Sequence, residues 1–444
     1  MLPEEVRAAL SRLDAAGHVA YVVGGCVRDF LLGKPAKDHD IVTSASPDEI
    51  CGLFPDAITV GKAFGVIKVP LRQGPAGATL EIATFREDLE YEDHRHPTAV
   101  RFAGPAEDAA RRDFTINALF YDPKTSRILD TVGGVEDLKS GIVRAIGEPS
   151  ERFREDALRL LRAVRFTTRF GFRLEPATEQ AVKDRARLIT KVSAERIRDE
   201  VTLMLLGPGS AVSVRMLREL GLLAHVLPEV DSLARVPDSP VNEPGGATVF
   251  AHTLRVLELL ERSGSPRSVP LVWAALLHGV GKGMAFDRSG GKNFNGHELF
   301  ASQIAHRVCE RMRLSRDESA RVCVIVSELL KFRDVFQMRE ATLQRFIAQP
   351  AFAELLALHR ADALASDGNL AFHEFCSARL REMEEARRKG FDARLLKGDD
   401  LVQLGLKPGP RFSEILREVE DLALERKLTT KEEALEYVLR NFVR

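Results

Sequence analysis

The chain has 444 residues, of which 45% are hydrophobic and 29% are charged, and its formal net charge at pH 7 is -1. This composition is typical of a globular protein with a well-developed core, and the length corresponds to about three domains. The near-zero net charge excludes a uniformly basic protein that coats nucleic acid, although it is compatible with a local basic groove.

We expect a cytoplasmic protein without a membrane span. The sequence contains no run of about 18 apolar residues, and its first residues lack the apolar segment of a secretory signal. The five cysteines are scattered without CxxC spacing: Cys26, Cys51, Cys309, Cys323 and Cys376. This distribution argues against a cysteine-rich zinc site or a disulfide framework and is typical of a reducing compartment.

The sequence divides into two parts with different patterns. Residues 1–147 alternate apolar, strand-like runs with turns, whereas residues 148–444 show the periodicity of amphipathic helices broken by Gly and Pro. We predict an α+β protein in which a small head with a mixed sheet is followed only by helices. Breaks in the helical part divide it into a neck (148–235), a body (236–380) and a tail (381–444).

Gly24 and Gly25 form the first candidate for a ligand-binding turn. They follow a predicted strand over 18–23 and precede a predicted helix over 26–32. Glycines let the backbone approach a ligand, and the free N–H groups at a helix N-terminus face an anion. The pattern indicates a phosphate-binding turn, but an ordinary tight turn gives the same pattern.

Asp38 and Asp40 stand at the start of the next predicted strand. Alternate residues of a strand point to the same side, and two adjacent carboxylates repel each other unless a cation lies between them. Oxygen ligands suit Mg²⁺, which also binds the phosphates of substrates. The pair therefore indicates a two-metal site for phosphoryl transfer, and the alternative is two solvated acids at a strand end.

A predicted helix over 151–166 carries the most informative pattern of the second part. At about 100° per residue it has an apolar stripe on one side and a polar stripe on the other. The apolar stripe comprises Phe153, Ala157, Leu160, Leu161 and Val164, and the polar stripe comprises Asp156, Arg159, Arg162 and Arg165. Neighbouring Asp and Arg side chains can present acceptors and donors to the edge of a base, and the alternative is an exposed, ion-paired helix face.

Residues 24–45, GGCVRDFLLGKPAKDHDIVTSA, resemble the signature of the class II nucleotidyltransferases. This superfamily contains the tRNA CCA-adding enzymes, their separate CC-adding and A-adding relatives, and bacterial poly(A) polymerases. The resemblance implies that Asp38 and Asp40 are catalytic and hold Mg²⁺. It also implies that Gly24, Gly25 and Arg28 hold the phosphates of the nucleotide.

A second segment of the head matches the same superfamily. Residues 111–118, RRDFTINA, resemble its ribose-contacting motif. The resemblance implies that Arg112, Asp113 and Asn117 bind the nucleotide, since such groups can contact a triphosphate and a 2′-OH.

Two segments of the neck extend the resemblance. Residues 151–166 resemble the E-D-x-x-R motif, in which side chains replace a nucleic-acid template. The resemblance implies that Asp156 and Arg159 read the base and that Arg162 and Arg165 position the nucleotide. Residues 193–200 resemble the last neck motif, which we expect to brace the neck.

Two segments of the head help to identify the member of the superfamily. Residues 60–69 follow the CCA-adding pattern, whereas poly(A) polymerases carry a more basic stretch that Lys62 matches poorly. Residues 85–97 resemble the flexible loop that supports addition of A, which CC-only enzymes lack. Addition of A alone and poly(A) synthesis remain as alternatives to complete CCA addition.

The helical body carries a second resemblance, to the HD phosphohydrolases. Its metal-ligand positions match His252, His278, His297 and Asp362, but Gly279 stands where the motif H-D-x-G-K has its Asp. Glycine has no side-chain oxygen that could bridge two metals. The sequence therefore predicts a helical scaffold without robust phosphohydrolase activity and at most weak binding of one metal ion.

These observations together predict a template-independent enzyme that adds CCA to the 3′ end of tRNA from CTP and ATP, releases pyrophosphate and uses Mg²⁺. We expect the tail to bind RNA through Lys and Arg contacts to phosphates. A non-catalytic RNA-binding protein is a third hypothesis, against which the intact Asp38 and Asp40 argue. The sequence makes no prediction of the oligomeric state.

Overall fold

The computed structural model describes residues 2–36, 38–59, 65–71, 78–88, 100–238, 247–389 and 392–443. The chain forms two compact units, residues 1–231 and 232–444. The first unit begins with a mixed sheet and continues with helices, and the regular elements described in the second unit are helical. The predicted α+β class, a mixed-sheet head followed by helices, is confirmed.

The head is built on a mixed β-sheet. The described strands of the head are β1 (Ala20–Val23), β2 (Asp40–Thr43), β3 (Val66–Pro70), β4 (Thr79–Thr84), β5 (Arg86–Asp88), β6 (Val100–Phe102), β7 (Phe120–Asp122), β8 (Arg127–Leu129) and β9 (Ile142–Val143). Six of these strands form the mixed sheet, in the order β3-β4-β2-β1-β7-β8. Strands β2 and β4 run parallel, and the other neighbours are antiparallel. Because β1 and β2 are adjacent, the sheet brings the Gly-Gly turn and the Asp38–Asp40 segment together.

Five helices accompany the described strands of the head: α1 (Glu4–Ala15), α2 (Gly25–Leu31), α3 (Pro47–Leu53), α4 (Pro105–Ala110) and α5 (Gly134–Ser140). Helix α1 ends at Ala15, and Gly17 two residues later has a φ of 86°, which suits a residue without a Cβ. At the start of α3, the Ser46 side chain accepts from the N–H of Glu49, and the Glu49 carboxylate accepts from the N–H of Ser46. This reciprocal pair satisfies two N–H groups that the helix leaves unpaired.

The core of the head lies against the central strands. In β4 the buried residues alternate with partly exposed ones, which is the period of a strand with one buried face. One core cluster comprises Val23, Val42, Phe85, Ala109, Ala118, Phe120 and Ile146. Full burial of a large apolar side chain contributes about 1.5–3 kcal/mol, so this cluster fixes the strands from which the cavity residues project.

The rest of the first unit is helical apart from the short strand β10 (Arg173–Leu174), which pairs in parallel with β9. Its helices are α6 (Pro149–Glu155), α7 (Arg159–Phe170), α8 (Pro176–Arg185), α9 (Ala194–Leu206), α10 (Ser210–Glu219), α11 (Leu223–Val226) and α12 (Pro228–Asp231). Short 3₁₀ turns lie at Thr115–Asn117 in the head and at Ala186–Lys191 here.

The predicted continuous helix over 151–166 is wrong. Helix α6 ends at Glu155, Asp156 is extended with φ -139° and ψ 102°, and α7 begins at Arg159. The Asp156 carboxylate accepts from the backbone N–H of Leu158 at 3.1 Å. A short polar side chain that binds the backbone in this way competes with helix continuation. The predicted apolar stripe is nevertheless fully buried in all five of its members.

The second unit packs described helices around apolar cores. They are α13 (Val249–Arg262), α14 (Val269–Leu277), α15 (Val280–Arg288), α16 (His297–Arg311), α17 (Arg316–Glu328), α18 (Glu340–Ala348), α19 (Phe352–Ala365), α20 (Ala371–Arg388), α21 (Gly398–Gln403), α22 (Pro410–Leu424) and α23 (Lys431–Phe442). The last three share a core that includes Leu401, Ile415, Val419 and Val438.

One helical stretch of the second unit, Val269–Arg288, is long and apolar enough to cross a membrane by length and composition alone. Within its most apolar window, 72% is buried inside the protein. Trp273 and the residues around it in α14 are fully enclosed. A buried core helix meets the same criterion, and the burial of this stretch is that of a core helix.

Some sequence predictions fall outside the described residues. They concern residues 60–64 with Lys62, residues 89–97 of the loop that supports addition of A, and residues 239–246 at the predicted start of the body. The boundary between the two compact units lies between residues 231 and 232 of the chain. The predicted domain boundaries at 147/148, 235/236 and 380/381 stay predictions.

Gly134→Ala should destabilise the first unit. A Cβ at Gly134 would lie 2.2 Å from the carbonyl oxygen of Thr115 and 2.8 Å from its carbon. Relieving such a clash costs about 1–3 kcal/mol, measurable as a lower free energy of unfolding in urea. Gly52→Ala in α3 is the matched control, because nothing lies within 4 Å of its Cβ. An unchanged unfolding midpoint for Gly134→Ala would contradict this close approach of the two segments.

Candidate active site

A cavity of about 550 Å³ opens in the first unit, where α2, β2 and α7 approach one another. It is lined by Gly24, Gly25, Cys26, Arg28, Asp29, Asp38, Asp40, Arg86, Arg111, Arg112, Asp113, Asn117, Asp156, Arg159, Arg162, Arg165, Phe166 and Arg169. The structure thus brings all twelve predicted site residues to one cavity. Eight arginines against five aspartates give the lining a positive excess, which suits a polyphosphate.

The Gly-Gly turn positions the start of α2 at the cavity. Gly24 has φ 80° and ψ -133°, a backbone conformation that residues with a Cβ rarely adopt. A Cβ there would also lie 3.3 Å from a terminal nitrogen of Arg112. Gly24 therefore satisfies a backbone requirement and a spatial one, and its N–H is already bound by the carbonyl of Leu119 at 3.1 Å.

Asp38 and Asp40 both line the cavity, although only Asp40 belongs to β2. In the parallel register with β4, Asp40 is paired with Glu81, whose carboxylate is 2.8 Å from Lys68. Burial, Glu81 and Asp38 raise the pKa of the Asp40 carboxyl to about 6, against the opposite influence of Arg112. Crowded carboxylates of this kind are what a divalent cation stabilises, so the donor set fits a hard cation with oxygen ligands.

Asp113 is the centre of a buried hydrogen-bond network. Its Oδ1 accepts from the N–H of Phe114 and from Nδ2 of Asn117, at 2.8 and 3.0 Å. Its Oδ2 accepts from Nε and a terminal nitrogen of Arg162, at 2.7 and 2.6 Å. Burial opposes ionisation, but Arg162 and Asn117 outweigh it and lower the pKa of Asp113 to about 2.

The network gives Asp113 a positioning role. A carboxylate has about four acceptor sites, and Asp113 receives four hydrogen bonds from protein donors. Asp113 therefore positions Asn117 and Arg162, and its own contact with a ribose stays a prediction.

Arg28 is similarly engaged within the protein. It forms a 2.7 Å ion pair with Asp29, donates to Oδ1 of Asn117, and its guanidinium lies 4.6 Å from the centre of the Phe170 ring. Only 3% of Arg28 is exposed. Arg28 therefore places a positive charge at a fixed position in the cavity wall.

The predicted base-reading pair lies at the break between α6 and α7. Arg159 donates to the carbonyl oxygens of Arg152 and Arg111, at 2.9 and 3.2 Å, and forms a 2.7 Å ion pair with Glu155. Asp156 and Arg159 therefore do not lie on one continuous helix as predicted, and the carboxylate of Asp156 is held by Arg196. Both still line the cavity.

Helix α9 supplies two residues whose contribution the sequence did not reveal. Arg196 donates to both carboxylate oxygens of Asp156, at 3.1 and 2.8 Å. One turn further, Glu200 accepts from Nε of Arg165 at 2.5 Å and lies 3.8 Å from Arg162. These contacts agree with a bracing role for 193–200, and their i, i+4 spacing places both residues on one helix face.

Sequence reasoning missed six of the cavity-lining residues: Cys26, Asp29, Arg86, Arg111, Phe166 and Arg169. Spacing gave a usable signal for Arg169, which continues the row formed by Arg162 and Arg165 along α7. Its side chain is 37% exposed, and its guanidinium is 3.4 Å from Asp29. No pattern in the sequence indicated that Glu81 lies near the site, because only the register of the sheet brings Glu81 beside Asp40.

A second group of titratable side chains lies in the second unit. One ligand atom each from His252, His278 and Asp362 come within 4.8 Å of one another. His297 lines a cavity of about 90 Å³ with His278 and Asp362, but it is outside that cluster. Three of the four predicted HD positions thus converge, and Gly279 lies between His278 and the first residue of α15.

Three family models match successive parts of the chain. The poly A polymerase head domain matches residues 20–144, the probable RNA and SrmB-binding site of polymerase A matches 171–233, and the HD domain matches 249–367. The head match covers the whole Gly-Gly, Asp38–Asp40 and 111–118 arrangement. The head of the chain therefore resembles the poly A polymerase head domain, and each of the three models matches less than half of the chain.

Curated proteins with similar sequences include CCA-adding enzymes. The enzyme of Geobacillus stearothermophilus is 43% identical over 224 residues, which are 50% of this chain and 54% of the relative. That of Lactobacillus helveticus is 49% identical over 202 residues, which are 45% of this chain and 49% of the relative. The matched part therefore spans about half the length of these relatives.

Solved structures resemble the chain over nearly its whole length. The Bacillus stearothermophilus CCA-adding enzyme in complex with CTP has a TM-score of 0.74 at 28% identity, covering 99% of this chain and 98% of that one. A Thermotoga maritima CCA-adding enzyme complexed with tRNA has a TM-score of 0.62 at 21% identity and covers 99% and 96%. The second likeness concerns the fold alone.

Without divalent metal, Asp40→Asn should stabilise the protein clearly at pH 8 and much less at pH 4. The folded pKa of about 6 lies above the ordinary value of 3.8. The contribution of Asp40 is therefore most favourable below pH 3.8 and is lost as the pH rises through about 6. We expect about 1–3 kcal/mol more stability for the variant at pH 8, measured by urea unfolding in EDTA. The same difference at both pH values would refute the raised pKa.

Proposed function

We propose that the chain is a template-independent tRNA nucleotidyltransferase that adds CCA to the tRNA 3′ end from CTP and ATP and releases pyrophosphate. The observation that carries this proposal is that the Asp38–Asp40 carboxylates and the polar edges of Asp156 and Arg159 line the same cavity. A carboxylate pair alone supports phosphoryl transfer, and a fixed donor and acceptor alone support base selection. Their combination supports selective nucleotide addition without a nucleic-acid template.

Nucleotidyltransferases of this family use a divalent metal, and we propose Mg²⁺ for this chain. Asp38 and Asp40 are the residues that would hold it, with Glu81 adding negative charge from β4. When bound, the cation supplies neutralisation of the triphosphate and a lower pKa for the RNA 3′-OH. Other divalent ions with oxygen preference remain consistent with the same donors.

The side chains of the cavity perform positioning and charge neutralisation. The start of α2 and the arginines of the cavity wall hold the triphosphate, and Arg112 lies between the Gly-Gly turn and Asp108. Asn117 and Arg162, fixed by Asp113, orient the nucleotide. The 3′-oxygen of the RNA then attacks the α-phosphorus, and the bond to pyrophosphate breaks.

Base selection is assigned to Asp156 and Arg159. Asp156 offers carboxylate oxygens that Arg196 holds in place, and Arg159 offers a planar guanidinium fixed by Glu155 and two carbonyls. A donor and an acceptor that cannot rotate freely discriminate between bases, because a mismatched edge leaves a buried polar group unpaired.

We also propose that the tail, 381–444, binds RNA and that the protein works in the cytoplasm. Addition of A alone, in partnership with a CC-adding enzyme, and poly(A) synthesis are the alternatives within the superfamily. Both use the same cavity, so product length distinguishes them. Hydrolysis of phosphoesters in the second unit is disfavoured by Gly279.

Single-nucleotide primer extension tests the proposal. Purified full-length protein and Mg²⁺ are incubated with tRNA ending at the discriminator base or at CC, with CTP and ATP separately and together. Three additions to the first tRNA, and then arrest, are expected. One A on the CC-ended tRNA with nothing on the other would show an A-adding enzyme, and a long A ladder would show a poly(A) polymerase.

Asp38→Asn and Asp40→Asn should each abolish addition of both C and A while RNA binding persists. Each removes a negative charge from the proposed metal-holding pair, and removal of such electrostatic stabilisation costs at least about 10²–10³ in rate. The measurements are single-turnover extension and RNA binding by filter retention. Retention of normal rates in either variant would place the chemistry elsewhere.

Arg159→Lys should reduce the discrimination between correct and incorrect nucleotides by about 10–100-fold, because an ammonium cannot reproduce the guanidinium fork. The readout is the ratio of kcat/KM values for the correct and incorrect nucleotide at each position. Arg154→Lys is the matched control, since Arg154 lies on α6 with its side chain 47% exposed and is absent from the cavity lining. Equal discrimination in both variants would rule out base reading by Arg159.

A further inference from the structure

Asp108 is a buried carboxylate behind the wall of the cavity in the first unit. Its exposure is 0%, and it is not one of the residues that line the cavity. Its Oδ1 accepts from Nε and a terminal nitrogen of Arg111, at 2.9 and 2.6 Å. Its Oδ2 accepts from the corresponding atoms of Arg112, at 3.1 and 2.9 Å. Each carboxylate oxygen therefore holds one guanidinium, and both arginines line the cavity.

The end of α4 brings these three residues together. Asp108 lies three and four positions before the arginines, which are the spacings that place side chains on one helix face. The backbone N–H groups of Arg111 and Arg112 donate to the carbonyl oxygens of Glu107 and Ala109, at 3.2 and 3.1 Å. Helix α4 therefore fixes both the backbone and the guanidinium of each arginine.

The two ion pairs keep Asp108 charged in spite of its burial. Burial opposes ionisation, but Arg112 and Arg111 outweigh it and lower the pKa of Asp108 below its ordinary value of 3.8. A buried carboxylate that loses one of its partners is costly, so the carboxylate and the two guanidiniums are held as a unit. Arginines fixed in this way have less rotational freedom to lose when they bind an anion.

Arg112 extends toward the part of the cavity that contains the proposed metal-holding carboxylates. One of its terminal nitrogens is 3.5 Å from the carbonyl oxygen of Asn117 and would be 3.3 Å from a Cβ at Gly24. Its positive charge lowers the pKa of Asp40, against the larger effect of burial. Within the described part of the chain, Asp108 and Asn117 engage three of the five N–H groups of Arg112, which leaves others for a phosphate oxygen.

Arg111 connects the same carboxylate to the other end of the cavity. The carbonyl oxygen of Arg111 accepts from a terminal nitrogen of Arg159 at 3.2 Å, and Arg159 is one of the two proposed base-reading residues. Asp108 thus lies behind groups that face the phosphates and behind the backbone that supports the base-reading edge.

We propose that Asp108 is a positioning residue for the nucleotide, which holds Arg112 in the orientation that meets the triphosphate beside Asp40. This inference rests on the proposed function, because it assumes a nucleoside triphosphate in this cavity. Asp108 itself does not contact the nucleotide. A substitution of Asp108 acts through Arg112, and it weakens the binding of the triphosphate more than the binding of the RNA.

The test compares Asp108→Asn with the unsubstituted full-length chain in single-nucleotide extension with Mg²⁺. CTP is added to tRNA ending at the discriminator base, and ATP to tRNA ending at CC. Asp108→Asn should raise the KM for the nucleotide by about 10–100-fold, the range for a lost hydrogen bond to a charged group, and change the KM for tRNA by less than about twofold. A merely structural defect would lower the amount of active enzyme, and hence kcat, without this selective change in KM.

Asp137→Asn is the matched control. Asp137 is another buried carboxylate of the first unit, with 6% exposure, and it is 3.0 Å from Nε of Arg144 outside the cavity lining. This variant removes the same charge and should leave the KM for the nucleotide unchanged. An equal rise in KM in this control would overturn the inference.

A double substitution tests whether Asp108 acts through Arg112. In an Arg112→Lys background, Asp108→Asn should raise the KM for the nucleotide by less than about threefold further, because the two residues act as one unit. A full further increase in that background would overturn the inference.

The remaining outcomes separate the inference from the proposed function. If Asp108→Asn does not fold, Asp108→Glu keeps the charge but displaces both guanidiniums by the length of one methylene, and it should give the same selective rise in KM. An active chain whose KM for the nucleotide is unchanged in the folded variant would overturn the inference alone. An unsubstituted chain that adds no nucleotide would overturn the proposed function and the inference with it.

Discussion

The buried carboxylate of Asp113 is the charge on which the arrangement of the cavity depends. Its four donors come from its own turn, from Asn117 and from Arg162 of α7, and Asn117 in turn receives Arg28 of α2. A buried carboxylate is tolerated only when it is fully paired. The two helices that carry the phosphate-facing and base-facing groups are therefore fixed to one anion, which sets their positions relative to each other.

The sequence was most informative where a short motif fixes both backbone and chemistry. Gly24 and the Asp38–Asp40 spacing predicted which residues meet at the cavity, because local turns and a strand start determine their positions. The apolar stripe from Phe153 to Val164 was also predictable, since burial follows periodicity. The helix break at Asp156 was not, because the same periodicity continues across it while one side-chain hydrogen bond ends α6.

Contacts between elements distant in sequence account for what could not be predicted. Glu81 reaches Asp40 only through the parallel register of β2 and β4, and Arg196 reaches Asp156 across 40 positions. The same holds for the second unit. The absence of a carboxylate at Gly279 is visible in the sequence. The distance of 3.5 Å between a carboxylate oxygen of Asp238 and Nδ1 of His252, in contrast, depends on the backbone bridge between Pro237 and Thr248 before α13.

The proposed base-reading pair has two separate anchors. Asp156 is held by α9, whereas Arg159 is held by Glu155 and by carbonyl oxygens of α6 and the head. The acceptor and the donor therefore depend on different ion pairs, and α9 also holds Arg165 of α7 through Glu200. A substitution that removes one of the two ion pairs would release one side of the base-contacting edge while the ion pair of the other side remains.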